Sequence, residues 1–324
     1  MEKLLSIVIP AYNEEKLLQN TMETVSRAMQ GAGIPFEVVF VDDGSTDGTW
    51  GAIAAAAKSS DTVRGVRFSR NFGKESAIFA GLAHARGGCC VVMDCDLQHP
   101  PEAAVEMYRL WLNNDFDIIE GKKARRGRES LFHRLGARFF YKLLRATSGM
   151  SLENASDFKL LDRKVVDIIN AMPERQTFFR AMSGWLGFRT AQVLFEVPER
   201  GAGRSKWSFR GLMKLAVNAI TSYSALPMQL VTVCGVAFMA FALALLAQTL
   251  YMKISGQAVA GFTTVIILLL VMGSVIMFSL GVIGVYISKI YEEVKRRPKY
   301  IVSDMAGRAE SAAPGKQGGG RDRA

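Results

Sequence analysis

The chain has 324 residues, room for one large domain and an appendage. Its 40 Lys and Arg against 30 Asp and Glu give a formal net charge of +10, which asks for an anionic partner: a phosphorylated substrate, a membrane surface or nucleic acid. Four cysteines (Cys89, Cys90, Cys95, Cys234) lack metal-site spacing, which excludes a zinc module and marks small buried hydrophobes in a reducing compartment. No internal repeat is visible, and no signal peptide is expected, since a strand begins almost at once. Residues 4–10 form a continuous apolar run closed by Pro10, the pattern of a buried parallel strand. A turn over residues 11–15 leads into a helix to about Gly31, with Asn13 as its expected N-cap. Residues 36–41 read as a second strand, ending in Asp42-Asp43-Gly44-Ser45-Thr46-Asp47-Gly48. A helix through the alanines at 52–57 precedes a third strand over residues 63–68. The Asn71-Phe72-Gly73-Lys74 turn opens a further helix toward Gly87.

The next strand ends in Val91-Val92-Met93-Asp94-Cys95-Asp96-Leu97-Gln98-His99-Pro100. On a strand, residues i and i+2 share a face, so Asp94 and Asp96 project together. Two carboxylates that close repel unless a cation lies between them, and oxygen ligands favour Mg²⁺ or Mn²⁺. An isolated Asp-x-Asp is equally a solvated turn. Here, however, three strand ends carry polar clusters, at residues 12–14, 42–47 and 94–98. Strand–helix alternation predicts a parallel sheet, whose ligands sit beyond the carboxyl ends of the strands. The three clusters therefore converge on one rim.

Three motifs carry a family resemblance: Ile9-Pro10-Ala11-Tyr12-Asn13-Glu14, Val41-Asp42-Asp43-Gly44-Ser45-Thr46-Asp47 and Asp94-Cys95-Asp96-Leu97-Gln98-His99-Pro100-Pro101. Together they resemble the inverting nucleotide-sugar glycosyltransferases of the GT-A fold. With Asn71-Phe72-Gly73-Lys74-Glu75 and Arg204-Ser205-Lys206-Trp207, the chain looks like the polyprenyl-phosphate branch, which includes dolichol-phosphate mannose synthase and bacterial undecaprenyl-phosphate glucosyltransferases. The resemblance runs to about Lys299. It implies a Rossmann-like α/β domain with a mostly parallel sheet, an essential Mg²⁺ or Mn²⁺, a nucleotide sugar as donor and a polyprenyl phosphate as acceptor. It assigns Asp94, Asp96 and Gln98 to the metal and diphosphate, and Asp43 to the nucleobase or ribose. Pro10, Tyr12, Glu14, Lys74, Arg204, Ser205 and Lys206 complete the donor set, and Asp157 with Asp96 is catalytic. Lys123, Arg134 and Arg138 are assigned to the acceptor phosphate.

Asp157 is the family's general base, but chemistry argues for a smaller role. A phosphate monoester has a second pKa of about 6 and is already mostly a dianion at neutral pH. Base catalysis should then supply less than its usual ~10²–10⁴-fold. Orienting the acceptor or a sugar hydroxyl is the second role open to Asp157. The segment 121–147 is strongly basic, and from Ser130 its apolar residues recur at helical spacing, as in a helix lying in a headgroup region. Nucleic acid is the rival partner for such a patch, and the downstream apolar segments favour lipid instead. Residues 200–207 form a glycine-rich loop whose Arg204 and Lys206 can neutralise a leaving diphosphate.

The expected organisation is a catalytic domain over 1–208, an amphipathic interface helix over 209–224, and two transmembrane helices within 225–288. The helices are placed at about 226–252 and 262–287, each long enough to cross a bilayer core of roughly 30 Å. A basic tail over 289–324 follows, disordered from about 303. Lys and Arg flank the pair on both outer sides, which puts the catalytic domain and both termini in the cytoplasm of a bacterial inner membrane. Gly273, Gly281 and Gly284 permit close helix packing, so a homo-oligomer stays open. The expected reaction moves one sugar, glucose from UDP-glucose, to undecaprenyl phosphate. GDP-mannose or another nucleotide sugar is the alternative donor. A processive polysaccharide synthase is the alternative enzyme, although residues 176–185 do not match its Gln-x-x-Arg-Trp motif. A membrane protein that binds a nucleotide sugar without turnover is a further rival.

Overall fold

The computed structural model describes residues 3–113, 116–123, 156–172, 179–196, 226–256 and 261–307. Its strands are β1 (Leu5–Ala11), β2 (Phe36–Asp42), β3 (Val63–Phe68), β4 (Cys89–Val92), β5 (Ile118–Lys123), β6 (Lys159–Asp162), β7 (Thr190–Phe195) and β8 (Val302–Ala306). They form one sheet in the order β7-β5-β6-β4-β1-β2-β3-β8. β1 pairs in parallel with β2 and β4, β2 with β3, and β5 with β7. β6 and β8 run antiparallel to their neighbours, so the sheet is mostly parallel.

The helices are α1 (Glu15–Gly31), α2 (Thr49–Ser59), α3 (Lys74–His84), α4 (Pro101–Leu112), α5 (Arg163–Ala171), α6 (Phe179–Leu186), α7 (Leu226–Ile254) and α8 (Phe262–Val294). Both sheet faces are covered. Leu5, Ile7 and Ile9 join the core under α1, α2 and α4, while Val8 packs with α3, α5 and α6 on the other side. Burial on both faces is why β1 and β2 read as unbroken apolar runs rather than alternating ones. In α1 the buried stripe Leu18, Thr21, Val25, Met29 has helical spacing, and each buried aliphatic contributes about 1.5–3 kcal/mol.

Four expectations need correction. The fourth strand stops at Val92, so Asp94 and Asp96 lie on the turn beyond it and not on one strand face. Pro101 then opens α4 at a first-turn position where a missing N–H costs nothing. Asn13 does not cap α1: Glu14 stands there, and Asn13 has φ 55°, its side chain turned to the next loop. The tail is ordered past Ser303, because β8 finds unpaired backbone along the β3 edge and a partly buried apolar patch for Tyr300 and Val302. Residues 308–324 lie outside the described residues. Finally, α8 continues to Val294, which places Lys289 within the helix.

Met228–Ile254 and Leu268–Val294 each contain an 18-residue window of mean hydropathy 2.5 in which no residue is buried. Core helices of a soluble protein would be covered, so these are helices suited to crossing a membrane. The amphipathic helix expected at 209–224 and the basic segment from residue 124 to 147 lie outside the described residues. The first residues of that basic segment, Gly121 to Lys123, end β5.

Candidate active site

At the carboxyl ends of β1, β2 and β4, loops enclose a cleft of about 400 Å³. Seven residues expected on sequence grounds line it: Pro10, Tyr12, Glu14, Asp43, Lys74, Asp94 and Asp96. Backbone and side chains tie the first two loops together. Asn13 N–H donates to Ser45 Oγ (2.9 Å) and Glu14 N–H to Thr49 Oγ1 (2.9 Å), while Asn13 Oδ1 accepts from Thr46 N–H (2.9 Å). The left-handed backbone at Asn13 aims its side chain at that partner, which no helix cap would do.

Asp43 does not simply face the cleft. Its Oδ1 accepts from Phe72 N–H (2.7 Å) and its Oδ2 from Gly73 N–H (2.9 Å), which fixes the turn that carries Lys74. Burial raises its pKa against the lowering effect of those amides. Gly44 is required beside it. With φ 69°, an added Cβ there would stand 2.4 Å from the Arg70 carbonyl carbon.

The centre of the site is a chain of ion pairs. Lys74 Nζ lies 2.6 Å from Asp94 Oδ1 and 3.1 Å from Asp157 Oδ2. On its far side Asp157 is gripped bidentately by Arg180, Nε to Oδ1 at 2.7 Å and a terminal nitrogen to Oδ2 at 2.8 Å. Burial alone would raise the Asp157 pKa, but Arg180 and Lys74 outweigh it and hold the carboxyl at about 2. Lys159, 1% exposed, donates to Glu120 Oε1 (2.7 Å) and to the backbone carbonyl of Arg180 (2.9 Å), which anchors the first turn of α6. Glu75 accepts from Phe179 N–H (2.9 Å) at the same helix start, and burial pushes its pKa up to about 7.

The aspartate turn is built just as closely. Asp94 N–H donates to His99 Nδ1 (3.2 Å), so the His99 proton sits on its other nitrogen. The His99 ring stacks on Phe158 with centroids 4.7 Å apart, and burial lowers its pKa, keeping it neutral. Leu97 turns the chain with φ 54°, and Gln98 donates to both Asp96 oxygens, N–H to Oδ1 (3.1 Å) and Nε2 to Oδ2 (2.5 Å). Cys95 is buried, its Sγ 3.8 Å from Thr21 Oγ1, and burial pushes its thiol up to about 11.

Asp94 and Asp96 suit a hard divalent ion. Already the Asp94 carboxylate holds a cation, the Lys74 ammonium, at 2.6 Å. Burial raises the pKa of Glu14, and Asp96, Asp47 and Asp94 raise it further, the sign of a site rich in negative charge. Among the described residues there is no group of three or more His, Cys, Asp or Glu side chains able to cage a metal. A pair of carboxylates that leaves positions for substrate phosphates is the usual Mg²⁺ arrangement.

Lys123 ends β5 on the same rim, near enough for its charge to help lower the His99 pKa. Arg134, Arg138, Arg204, Ser205 and Lys206 lie outside the described residues. Sequence reading missed Arg180, Lys159 and Glu120. Lys159 stands only two residues after Asp157, but Glu120 and Arg180 reach it solely through the β5–β6 pairing and the start of α6.

The glycosyl transferase family 2 profile matches residues 6–169, which span β1 to α5 and the whole cleft. An uncharacterized glycosyltransferase of Synechocystis is 37% identical over 94% of this chain and 96% of that protein. The chain belongs to glycosyl transferase family 2. It is therefore a glycosyltransferase, with a GT-A-like domain. A bactoprenol glucosyl transferase of Shigella phage SfII is also 37% identical, over 92% of this chain and 97% of that protein. Both relatives extend over the two apolar helices, and the enzyme is membrane-associated through them. A mannosyltransferase from Pyrobaculum calidifontis, solved with GDP-Man and Mn²⁺, superposes with a TM-score of 0.42 at 17% identity, over 88% of this chain and 87% of that one.

Proposed function

We propose that the enzyme moves glucose from UDP-glucose to undecaprenyl phosphate with inversion, at the cytoplasmic face of a bacterial inner membrane. The observation that carries this is the rim cleft, where Asp43, Lys74, Asp94 and Asp96 meet and Asp157 stands one ion pair away. The bactoprenol glucosyl transferase relative supports the choice of sugar and acceptor. Lys and Arg on the outer flanks of α7 and α8 support the orientation.

Pro10, Tyr12, Glu14 and Asp43 hold the nucleoside end of the donor. Asp94 and Asp96, steadied by Gln98, would hold Mg²⁺ or Mn²⁺ against the diphosphate. When bound, the ion supplies charge that stabilises the leaving diphosphate. Lys74 adds its own positive charge at the same place, and Arg204, Ser205 and Lys206 complete the donor set. Lys123, Arg134 and Arg138 receive the acceptor phosphate. One phosphate oxygen forms a bond to the anomeric carbon as the bond from that carbon to the diphosphate oxygen breaks on the opposite face.

Asp157 serves this reaction best as a fixed anion. With a pKa of about 2 it takes up no proton at neutral pH. It orients Lys74 between the two ends of the reaction. The test is a donor screen on the full chain in detergent with undecaprenyl phosphate and Mg²⁺ or Mn²⁺, following labelled sugar into the organic phase. Transfer of one glucose per lipid from UDP-glucose is expected. Transfer from a different donor only, a growing polymer, or binding without transfer would each overturn the reading.

A further inference from the structure

The segment that follows α8 returns to the catalytic domain at one particular place. β8 runs antiparallel along β3 with Val302 opposite Phe68 and Ala306 opposite Gly65, so it enters at the rim end of β3. Ser69 N–H donates to the Ile301 carbonyl (3.0 Å), which extends the pairing to the loop after β3. The Tyr300 ring lies flat on Phe68, centroids 5.0 Å apart and planes 13° apart. Phe68 in turn meets Phe72 edge-on at 5.7 Å. Phe72 N–H is one of the amides that hold Asp43, and Lys74 is two residues on. Beside this stack, Lys299 Nζ sits 4.8 Å from the centroid of Phe79 on α3, the helix that Lys74 begins.

We propose that this post-membrane segment, with Tyr300 as its key positioning residue, braces the 71–74 turn against Asp43 and couples the donor cleft to the end of α8. The leash from Lys295 to Ile301 is short. Fully extended, it reaches about 25 Å. The rim of the sheet is thus tethered near the end of a membrane-suited helix, on the side where β8 enters. Two contacts transmit the restraint. The aromatic stack sets the position of Phe72, and the Ser69–Ile301 hydrogen bond sets where the loop leaves β3. A strand that merely covered a sheet edge would need neither Tyr300 nor Lys299.

The kinetic arm rests on the reading of the cleft as the donor site; the exchange arm does not. Hydrogen–deuterium exchange would be followed on the full chain in detergent for wild type, Tyr300→Ala and Tyr300→Phe. In Tyr300→Ala the Phe72 and Gly73 amides should exchange about threefold to tenfold faster, the equivalent of one aromatic pair. Peptides from β1 and β4 should be unchanged, and Tyr300→Phe should behave as wild type because its ring still stacks. Tyr300→Ala should also raise the donor KM, measured with whichever nucleotide sugar wild type turns over, and leave kcat within about twofold. Unchanged exchange at Phe72 and Gly73, or an equal rise in β1 and β4, would overturn the proposal. A wild type that turns over no nucleotide sugar would refute the donor-site reading and leave the exchange result to decide the brace.

Discussion

Removing Arg180 should uncouple Asp157 from the site without emptying the cleft. Its guanidinium makes two charge-assisted hydrogen bonds to Asp157, at 2.7 and 2.8 Å, and its side chain is 41% exposed. Such bonds are worth about 1.5–3 kcal/mol each when shielded. Solvent screens the exposed side, so roughly 1.5–3 kcal/mol for the pair is the appropriate discount. At 1.36 kcal/mol per decade, Arg180→Ala should slow kcat between about tenfold and a hundredfold, with a smaller change in donor KM. Arg180→Lys restores charge but not the planar fork, and should recover only part of the loss. The assay is sugar transfer by Arg180→Ala, Asp157→Asn and the double variant. If the two residues act as one unit, the double variant is no slower than the slower single. Losses that multiply, or an Arg180→Ala enzyme within twofold of wild type, would refute the view that Arg180 acts through Asp157.

Gly44→Ala places a methyl against the Arg70 backbone and a Cβ on a left-handed residue. It should destabilise the domain by about 2–4 kcal/mol, read as a fall in the denaturant midpoint. Glu75 should give stability a pH slope. Its pKa is raised from 4.5 to about 7, first by burial, so the folded protein holds a proton that the unfolded chain has released. That contribution is fully present below pH 4.5 and is lost as pH rises through 7. The thermal midpoint of wild type measured relative to that of Glu75→Gln, which can still accept from Phe179 N–H, should therefore decline between those values. A parallel decline in the variant would assign the slope elsewhere.

Much of the fold and the rim was legible because both rest on short-range signals. The unbroken apolar runs of β1, β2 and β4 announce a parallel sheet, and the polar residues after them mark its ligand side. Distant pairing was not legible. β6 and β8 run against the sheet, and β8 looked disordered because its stability comes from the β3 edge and Phe68, more than two hundred residues away in sequence. Asp43 appeared to be a free ligand, whereas its oxygens are shared with the Phe72 and Gly73 amides. Asp157 stood out as a base by resemblance. Its character as a clamped anion depends on Arg180 and Lys74, and residue spacing cannot reveal either contact.

The central claim is that Asp94 and Asp96 hold the donor diphosphate through a divalent ion. The direct measurement is sugar transfer to undecaprenyl phosphate by Asp94→Ala and Asp96→Ala beside wild type, across a titration of Mg²⁺ and Mn²⁺. The account predicts that both variants lose turnover at every ion concentration while wild type loses it only on chelation. Near-normal transfer by either variant in Mg²⁺ would contradict it.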